Sequence, residues 1–292
     1  MDLIYLLSAS RAWLLVTTGL FSLLIGSFLN VVIYRLPIML EQQWKRDCHE
    51  LLGKPTTETE LSQPFNLVVP RSQCPTCGHK ITAIENIPLV SYLALKGKCI
   101  GCKTPISIQY PLVELGTALL SMLVAWKVGF SLELLGLLGF TWILVALFMI
   151  DAQTMLLPDV LTYPLLWAGL FLNLDGLYAP IDSAVLGAIS GYLSLWSVFH
   201  LFRLLTGKEG MGHGDFKLLA ALGAWGGWQI LPFIIFASSA FGAIFGIGWM
   251  ILKRTRESVP MPFGPWLAMA GFVAVVWRPE IVYWTQLIFL PF

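Results

Sequence analysis

The chain has 292 residues, 57 % hydrophobic and only 12 % charged, with a formal net charge of +1. A mean hydropathy of +0.76 and recurring uncharged runs of 17 to 23 residues exclude a soluble globular core. The near-zero charge excludes an electrostatic grip on nucleic acid, and 13 % aromatic content suits rings at two membrane interfaces.

The first apolar run, Ala12 to Tyr34, is 23 residues long and lacks a basic leader, which predicts a retained helix rather than a cleaved signal. Arg35 to Lys103 is the one long polar segment, a small domain or structured loop that contains all five cysteines. Ile106–Trp126 and Leu134–Ile150 follow as helices two and three, then a short loop from Asp151 to Pro158. Val160–Leu174 and Ser183–Phe202 are the next two. The glycine-rich stretch from Gly210 to Lys217 leads into 35 uncharged residues, Leu218 to Leu252. That is too long for one span at ~1.5 Å per residue, and Gly226-Gly227 with Pro232 supply a break. Pro260, Pro262 and Pro265 open the last spanning helix, which runs to Trp277, and Ile281–Phe292 is too short to cross. The expectation is an all-α polytopic membrane protein of about eight transmembrane helices, with a small cytoplasmic zinc-ribbon-like domain between helices 1 and 2. The corresponding boundaries are 1–35, 36–107 and 108–292.

Eight helices put fifteen Lys and Arg on one side, with only Arg11, Lys127 and Arg278 on the other. The positive-inside tendency then makes the cysteine segment cytoplasmic and sends both termini outward. The loops carrying Asp151 and Asp215 fall on the cysteine side, although neither acid entered the count.

Cys74-Pro-Thr-Cys77 and Cys99-Ile-Gly-Cys102 form two C-x-x-C knuckles separated by 21 residues. Paired thiolates on two turns suit one tetrahedral Zn²⁺, and four sulfurs leave no open position, so the role is structural. Cys48 is a bystander. His49-Glu50 lacks the second histidine of a zinc-protease helix.

An acid at the mouth of a membrane helix is costly and marks function by default. Asp151 closes an apolar run, where its charge opposes the helix dipole, so capping is a weak account of it. Asp215 ends Gly210-Met-Gly212-His-Gly214-Asp215. Capping could explain Asp215 alone, but paired with Asp151 it forms a two-carboxylate site. Two close carboxylates cannot both ionise readily, so one draws a proton from water while the other polarises a carbonyl. Gly212 and Gly214 would let an extended peptide approach. Asp159, after Pro158, reads as a helix cap, and Glu114 as an acid in the first turn of its helix. His200 and His213 read as packing residues.

Taken in order, Gly26-Ser-Phe-Leu-Asn-Val-Val-Ile-Tyr-Arg-Leu-Pro37, the two knuckles, Asn86-Ile-Pro-Leu-Val-Ser91, Tyr110-Pro-Leu-Val-Glu114, Asp151 with Leu-Pro-Asp159, and Gly212-His-Gly-Asp215 resemble the type IV prepilin peptidases. The resemblance implies a bifunctional enzyme of the bacterial inner membrane that removes the basic leader of prepilins and pseudopilins. It also implies N-methylation of the exposed residue with S-adenosylmethionine. By resemblance, Asp151 and Asp215 are the catalytic pair, with Asp159 a commonly acidic but less clearly required position. Cys74, Cys77, Cys99 and Cys102 would then hold the metal, and Gly97 would be linked to methylation, with Glu114 grouped beside it. Two other readings compete. An ion- or metal-coupled transporter would place acids deeper in the helices. A presenilin-like protease shares G-x-G-D but pairs it with Tyr-Asp, where this chain has Ile150-Asp151.

Overall fold

The computed structural model describes residues 8–53, 65–208, 210–253 and 261–289. The expected helix start at Pro260, the charges Lys54, Arg254 and Arg256, and both chain termini lie outside the described residues. Every regular element among them is helical, apart from two isolated β-bridges, Gln73 to Lys80 and Lys98 to Pro105. The chain divides into two compact units, Met1–Phe130 and Ser131–Phe292.

In the first unit, α1 runs from Arg11 to Leu51, 41 residues, or ~60 Å. That is about twice the hydrocarbon thickness of a bilayer. The polar segment expected from Arg35 therefore begins as a continuation of the first helix. The reason is local: residues 38–51 are mostly strong helix formers, and Glu41 pairs with Lys45 at 2.7 Å one turn on, so Pro37 does not end the helix. The short helix α2 spans Val90–Ala94, and α3 spans Gln109–Val128. α1 and α3 pack closely because Gly26 lies against the backbone of Glu114, where a Cβ would come within 2.7 Å of its Cα.

In the second unit, α4 covers Leu132–Thr154, opened by Ser131, whose hydroxyl accepts the Leu134 N–H at 3.3 Å. α5 is Asp159–Leu172, α6 Ile181–Thr206, α7 His213–Gly226 and α8 Leu231–Lys253. α9 is Gly264–Val276 and α10 Arg278–Phe289, with a 97° bend between them. The break expected inside Leu218–Leu252 falls at Gly227, whose φ of +82° ends α7, and Pro232 sits in the first turn of α8.

Among the described residues, five helices are long and apolar enough to cross a membrane, α1, α3, α4, α6 and a span including α8, or six if α9 and α10 count as one bent span. The expected number of eight is not confirmed. α5 and α7 have only 14 residues each, ~21 Å, short of a full crossing.

The centre of the second unit is α7. Every residue from Leu218 to Gly226 is buried, and a helix apolar on all sides belongs inside a bundle. Small residues make this possible. Gly187 and Gly191 of α6, a G-x-x-x-G pair, face Gly223 and Leu219 of α7, and a Cβ on Gly191 would come within 2.7 Å of the Leu219 carbonyl. A Cβ on Gly187 or Gly223 would strike the other's backbone. At the far end, Asn173 donates to the carbonyls of Ala224 (2.9 Å) and Trp225 (3.1 Å), and the Trp225 indole donates to Leu165 O at 2.8 Å.

Gly223→Leu should destabilise the bundle by about 1–3 kcal/mol through overpacking. Gly139→Ala, at an open helical position, should match or exceed the parent. Thermal unfolding in detergent separates them, and an unchanged midpoint for Gly223→Leu would contradict the backbone-to-backbone contact.

Candidate active site and metal centre

Asp151 lies in the last turn of α4, not in the loop expected after it. Met155, at φ +54°, caps the helix by donating its N–H to Asp151 O at 2.9 Å. This left-handed residue turns the chain sharply into Leu157 and Pro158, ahead of α5. Asp215 is the third residue of α7, after Gly212 at the N-cap. Its own N–H donates to Gly212 O at 3.3 Å. Gly212, not Asp215, therefore holds the cap position, and Asp215 stands in the first turn beyond it.

The two acids meet inside the second unit. Asp151 is 5 % exposed and Asp215 6 %, and they are close enough for the two carboxylate charges to repel. Asp151 lies against Gly264 at the start of α9, where a Cβ would come within 2.6 Å of Asp151 Oδ2. Yet Asp151 Oδ2 and Asp215 Oδ1 are both buried without a hydrogen-bond partner. Buried polar atoms are nearly always paired, so two such oxygens on neighbouring acids mark the pair as the candidate site.

Leu157 wedges between the elements that carry this site. A Cβ on Gly214 would come within 2.7 Å of Leu157 Cβ, and one on Gly264 within 3.1 Å of Leu157 Cδ1. Gly214 therefore admits a segment of this same chain, which changes the reading of that glycine as room for an external peptide. A Cβ on Gly212 would meet Asp215 Oδ2 at an ordinary 3.7 Å.

Asp159 does not cap α5. Pro158 holds the N-cap position, and Asp159, first in the helix, takes Lys217 Nζ on both carboxylate oxygens at 2.7 and 2.8 Å. Lys217 also lies 5.1 Å over the Tyr163 ring. The pair links α5 to α7 two residues beyond Asp215. The exposed His213 and His200 make tilted or edge-on ring contacts, His213 with Phe199 and Phe216 and His200 with Trp196 and Phe199.

In the first unit, the sulfurs of Cys74, Cys77, Cys99 and Cys102 all lie within 4.8 Å of one another. Cys74 to Cys102 is 3.7 Å and Cys77 to Cys99 is 3.9 Å. A tetrahedron with metal–sulfur bonds of ~2.3 Å requires sulfurs about 3.8 Å apart, so the four could hold a metal ion. The knuckles are built alike. Cys74 and Cys99 accept Gly78 N–H and Lys103 N–H on their carbonyls (2.9 and 3.0 Å), and both Gly78 and Lys103 are left-handed, at φ +70° and +59°.

The thiols are also electrostatically uneven. The Thr104 hydroxyl and N–H hold Cys102 low, at about 6, and the Cys77 N–H draws Cys74 down. Cys77 receives the His79 N–H, which lowers it, but burial and three neighbouring sulfurs push it up to about 11. Four thiolates this close repel, and a cation at their centre removes the conflict. Glu85 braces the first knuckle. Thr82 donates to it through its N–H and hydroxyl, and His79 Nε2 lies at 2.9 Å, which together hold its carboxyl at about 2.

Glu114 is not in the first turn of its helix, because α3 already begins at Gln109. It is buried at 8 % exposure, and its Oε2 accepts the Leu89 N–H at 2.9 Å. Gly97, at φ +67°, donates its N–H to Tyr92 O at 2.8 Å, and a Cβ there would press to 3.0 Å on the Tyr92 ring. Glu114 thus anchors the start of α2, and Gly97 closes the turn after it. Gly264, Leu157 and the Lys217 partner of Asp159 were not evident from the sequence. The one signal was Pro262-Phe-Gly264-Pro265, a glycine where prolines already explained a helix start.

Residues 20–128 match the bacterial peptidase A24 N-terminal domain, and residues 137–247 the type IV leader peptidase family. The chain is 55 % identical over 275 residues to the prepilin leader peptidase/N-methyltransferase of Pseudomonas putida, covering 94 % of each. It is 58 % identical over 265 residues to that of Aeromonas salmonicida, covering 91 % of each. It is 57 % identical over 278 residues to that of Pseudomonas aeruginosa, covering 95 % of this chain and 94 % of the relative. No solved structure matches the chain. Nothing in these similarities supports a transporter.

Elemental analysis of the purified chain should find a bound divalent metal, and Cys102→Ser should release most of it. A chain that carries no metal with all four cysteines intact and reduced would contradict the tetrahedral reading.

Proposed function

The chain belongs to the prepilin leader peptidase/N-methyltransferase family, and from this premise we propose that Asp151 and Asp215 are the catalytic carboxylates of its protease. As a member of that family it cleaves the leader of prepilins and methylates the amino group so exposed. The observation that carries the site assignment is the pair of buried, unpartnered oxygens on two mutually repelling acids at helix ends.

The chemistry follows from that arrangement. One carboxylate is ionised and takes a proton from water, whose oxygen attacks the scissile carbonyl carbon. The other carries a proton and donates it to the carbonyl oxygen, stabilising the tetrahedral intermediate. The first acid then passes its proton to the leaving nitrogen while the second takes one back from a hydroxyl of the intermediate, which breaks the C–N bond and restores the pair. Gly212 caps the helix that carries Asp215, Gly214 admits Leu157 against the site, and Asp159 holds Lys217 beside it.

Zinc suits the four cysteines because an all-thiolate tetrahedron is a structural zinc set, and the ion would supply a fixed cross-link between the two knuckles. The methyl donor is S-adenosylmethionine. Gly97 and Glu114 are proposed to serve methylation by shaping the segment between them, on the strength of the family resemblance and their shared hold on α2. Functionally we divide the chain into a first span (1–35), a metal-binding segment (36–107) and the peptidase spans (108–292). The charge asymmetry supports insertion in the bacterial inner membrane with the aspartates and cysteines cytoplasmic and both termini periplasmic. A prepilin or pseudopilin keeps its basic leader on that side and its apolar helix in the bilayer, which brings the scissile bond to the same interface.

Cleavage of purified prepilin in detergent tests the assignment. Asp151→Asn and Asp215→Asn should each lower kcat by about 10²–10⁴-fold without unfolding the chain. Asp159→Asn, which weakens a half-exposed ion pair worth at most ~1 kcal/mol, should retain most activity. Full activity in either of the first two variants would remove that acid from the mechanism.

A further inference from the structure

The first turn of α9 makes an unusual contact with Asp151. Phe263, the N-cap residue of α9, offers no side-chain cap, so the first amides of that helix need acceptors elsewhere. Pro265 has no N–H, and the Trp266 and Leu267 amides turn back to Phe263 O at 3.1 and 3.2 Å. Of these first residues it is Gly264 that lies against the Asp151 carboxylate.

Gly264 is also a glycine for a reason that its own backbone does not supply. Its φ is not in the left-handed region, so any residue could hold that conformation. What excludes a side chain is the acid: a Cβ would lie 2.6 Å from Asp151 Oδ2 and 3.0 Å from its Cγ. Oδ2 is the oxygen that is buried without a partner. A methyl group at position 264 would therefore occupy the space in which that oxygen is held clear.

We propose that Gly264 is a positioning residue for the peptidase reaction: its missing side chain leaves the Asp151 carboxylate its place and keeps Asp151 Oδ2 free to meet water or the scissile peptide. This rests on the assignment of Asp151 as a catalytic acid. The positive end of α9 faces the carboxylate and favours its charged form without adding a cation that would neutralise it. Position 264 thus demands an absent Cβ, which only glycine supplies.

The test is Gly264→Ala in the full chain, with prepilin cleavage and methylation of a pre-cleaved, unmethylated pilin measured in parallel. Methyl transfer to a free amine involves no scissile carbonyl, so it reports on the integrity of the rest of the molecule. The expected result is a fall in cleavage kcat of about 100-fold or more, as for a small misplacement of a reacting group. KM should move by less than about threefold, methylation should be retained, and Gly264→Ala added to Asp151→Asn should cost nothing further. Wild-type cleavage by Gly264→Ala would overturn the proposal. So would a rise in KM alone, or a parallel loss of cleavage and methylation, because each marks a general packing role. Wild-type cleavage by Asp151→Asn would instead overturn the underlying assignment, so the two failures are distinguishable.

Discussion

The second unit depends on keeping two carboxylates out of water without neutralising them. A buried carboxylate needs donors, and a full set of donors would leave no lone pair for chemistry. The chain resolves this by placing each acid against one helix N-terminus and stopping there. Asp215 stands in the first turn of its own helix, and Asp151 lies against Gly264 at the start of another. One oxygen of each acid stays buried and unpaired.

Much of the surrounding architecture follows from that requirement. Three elements must converge within van der Waals distance: the end of α4, the start of α7 and the start of α9. Leu157 fills the space among them, and it fits only because Gly214 and Gly264 have no side chains. The far half of α7 is sealed by glycine contacts with α6 and by the Asn173 and Trp225 hydrogen bonds, which satisfy backbone carbonyls where the helix ends. Rigid packing of that half fixes where Asp215 stands.

The first unit solves a different problem. Among its described residues the polar segment buries almost no apolar side chain, and polar links tie it together. The four cysteines bring two knuckles to one point. Arg35, buried in α1, donates to the carbonyls of Asn66 (2.8 Å) and Pro70 (2.6 Å) and lies 5.6 Å over the Phe65 ring. Glu114 holds Leu89, and Asn30 of α1 donates to Tyr110 O at 3.1 Å. Two of the charged residues that composition marks as costly are thus the ones that fasten this segment to its helices.

The sequence by itself determined whatever depends on composition and short-range order. It gave the membrane class from apolar run length, the break at Gly227 from its glycine pair, the two knuckles from cysteine spacing, and the prominence of Asp151 and Asp215 from the rarity of acids in apolar surroundings. Where it misled, a local rule met a competing interaction. Helical propensity carried α1 past Arg35 to Leu51. Lys217 claimed Asp159 from a capping role, and α3, which begins at Gln109 ahead of Pro111, leaves Glu114 beyond its first turn. Only the tertiary structure decided which glycines matter and why. Gly264 and Gly214 look like any residues of a turn until another segment occupies the space of their missing side chains. That neighbour comes from more than fifty residues away, beyond the reach of any pattern along the chain.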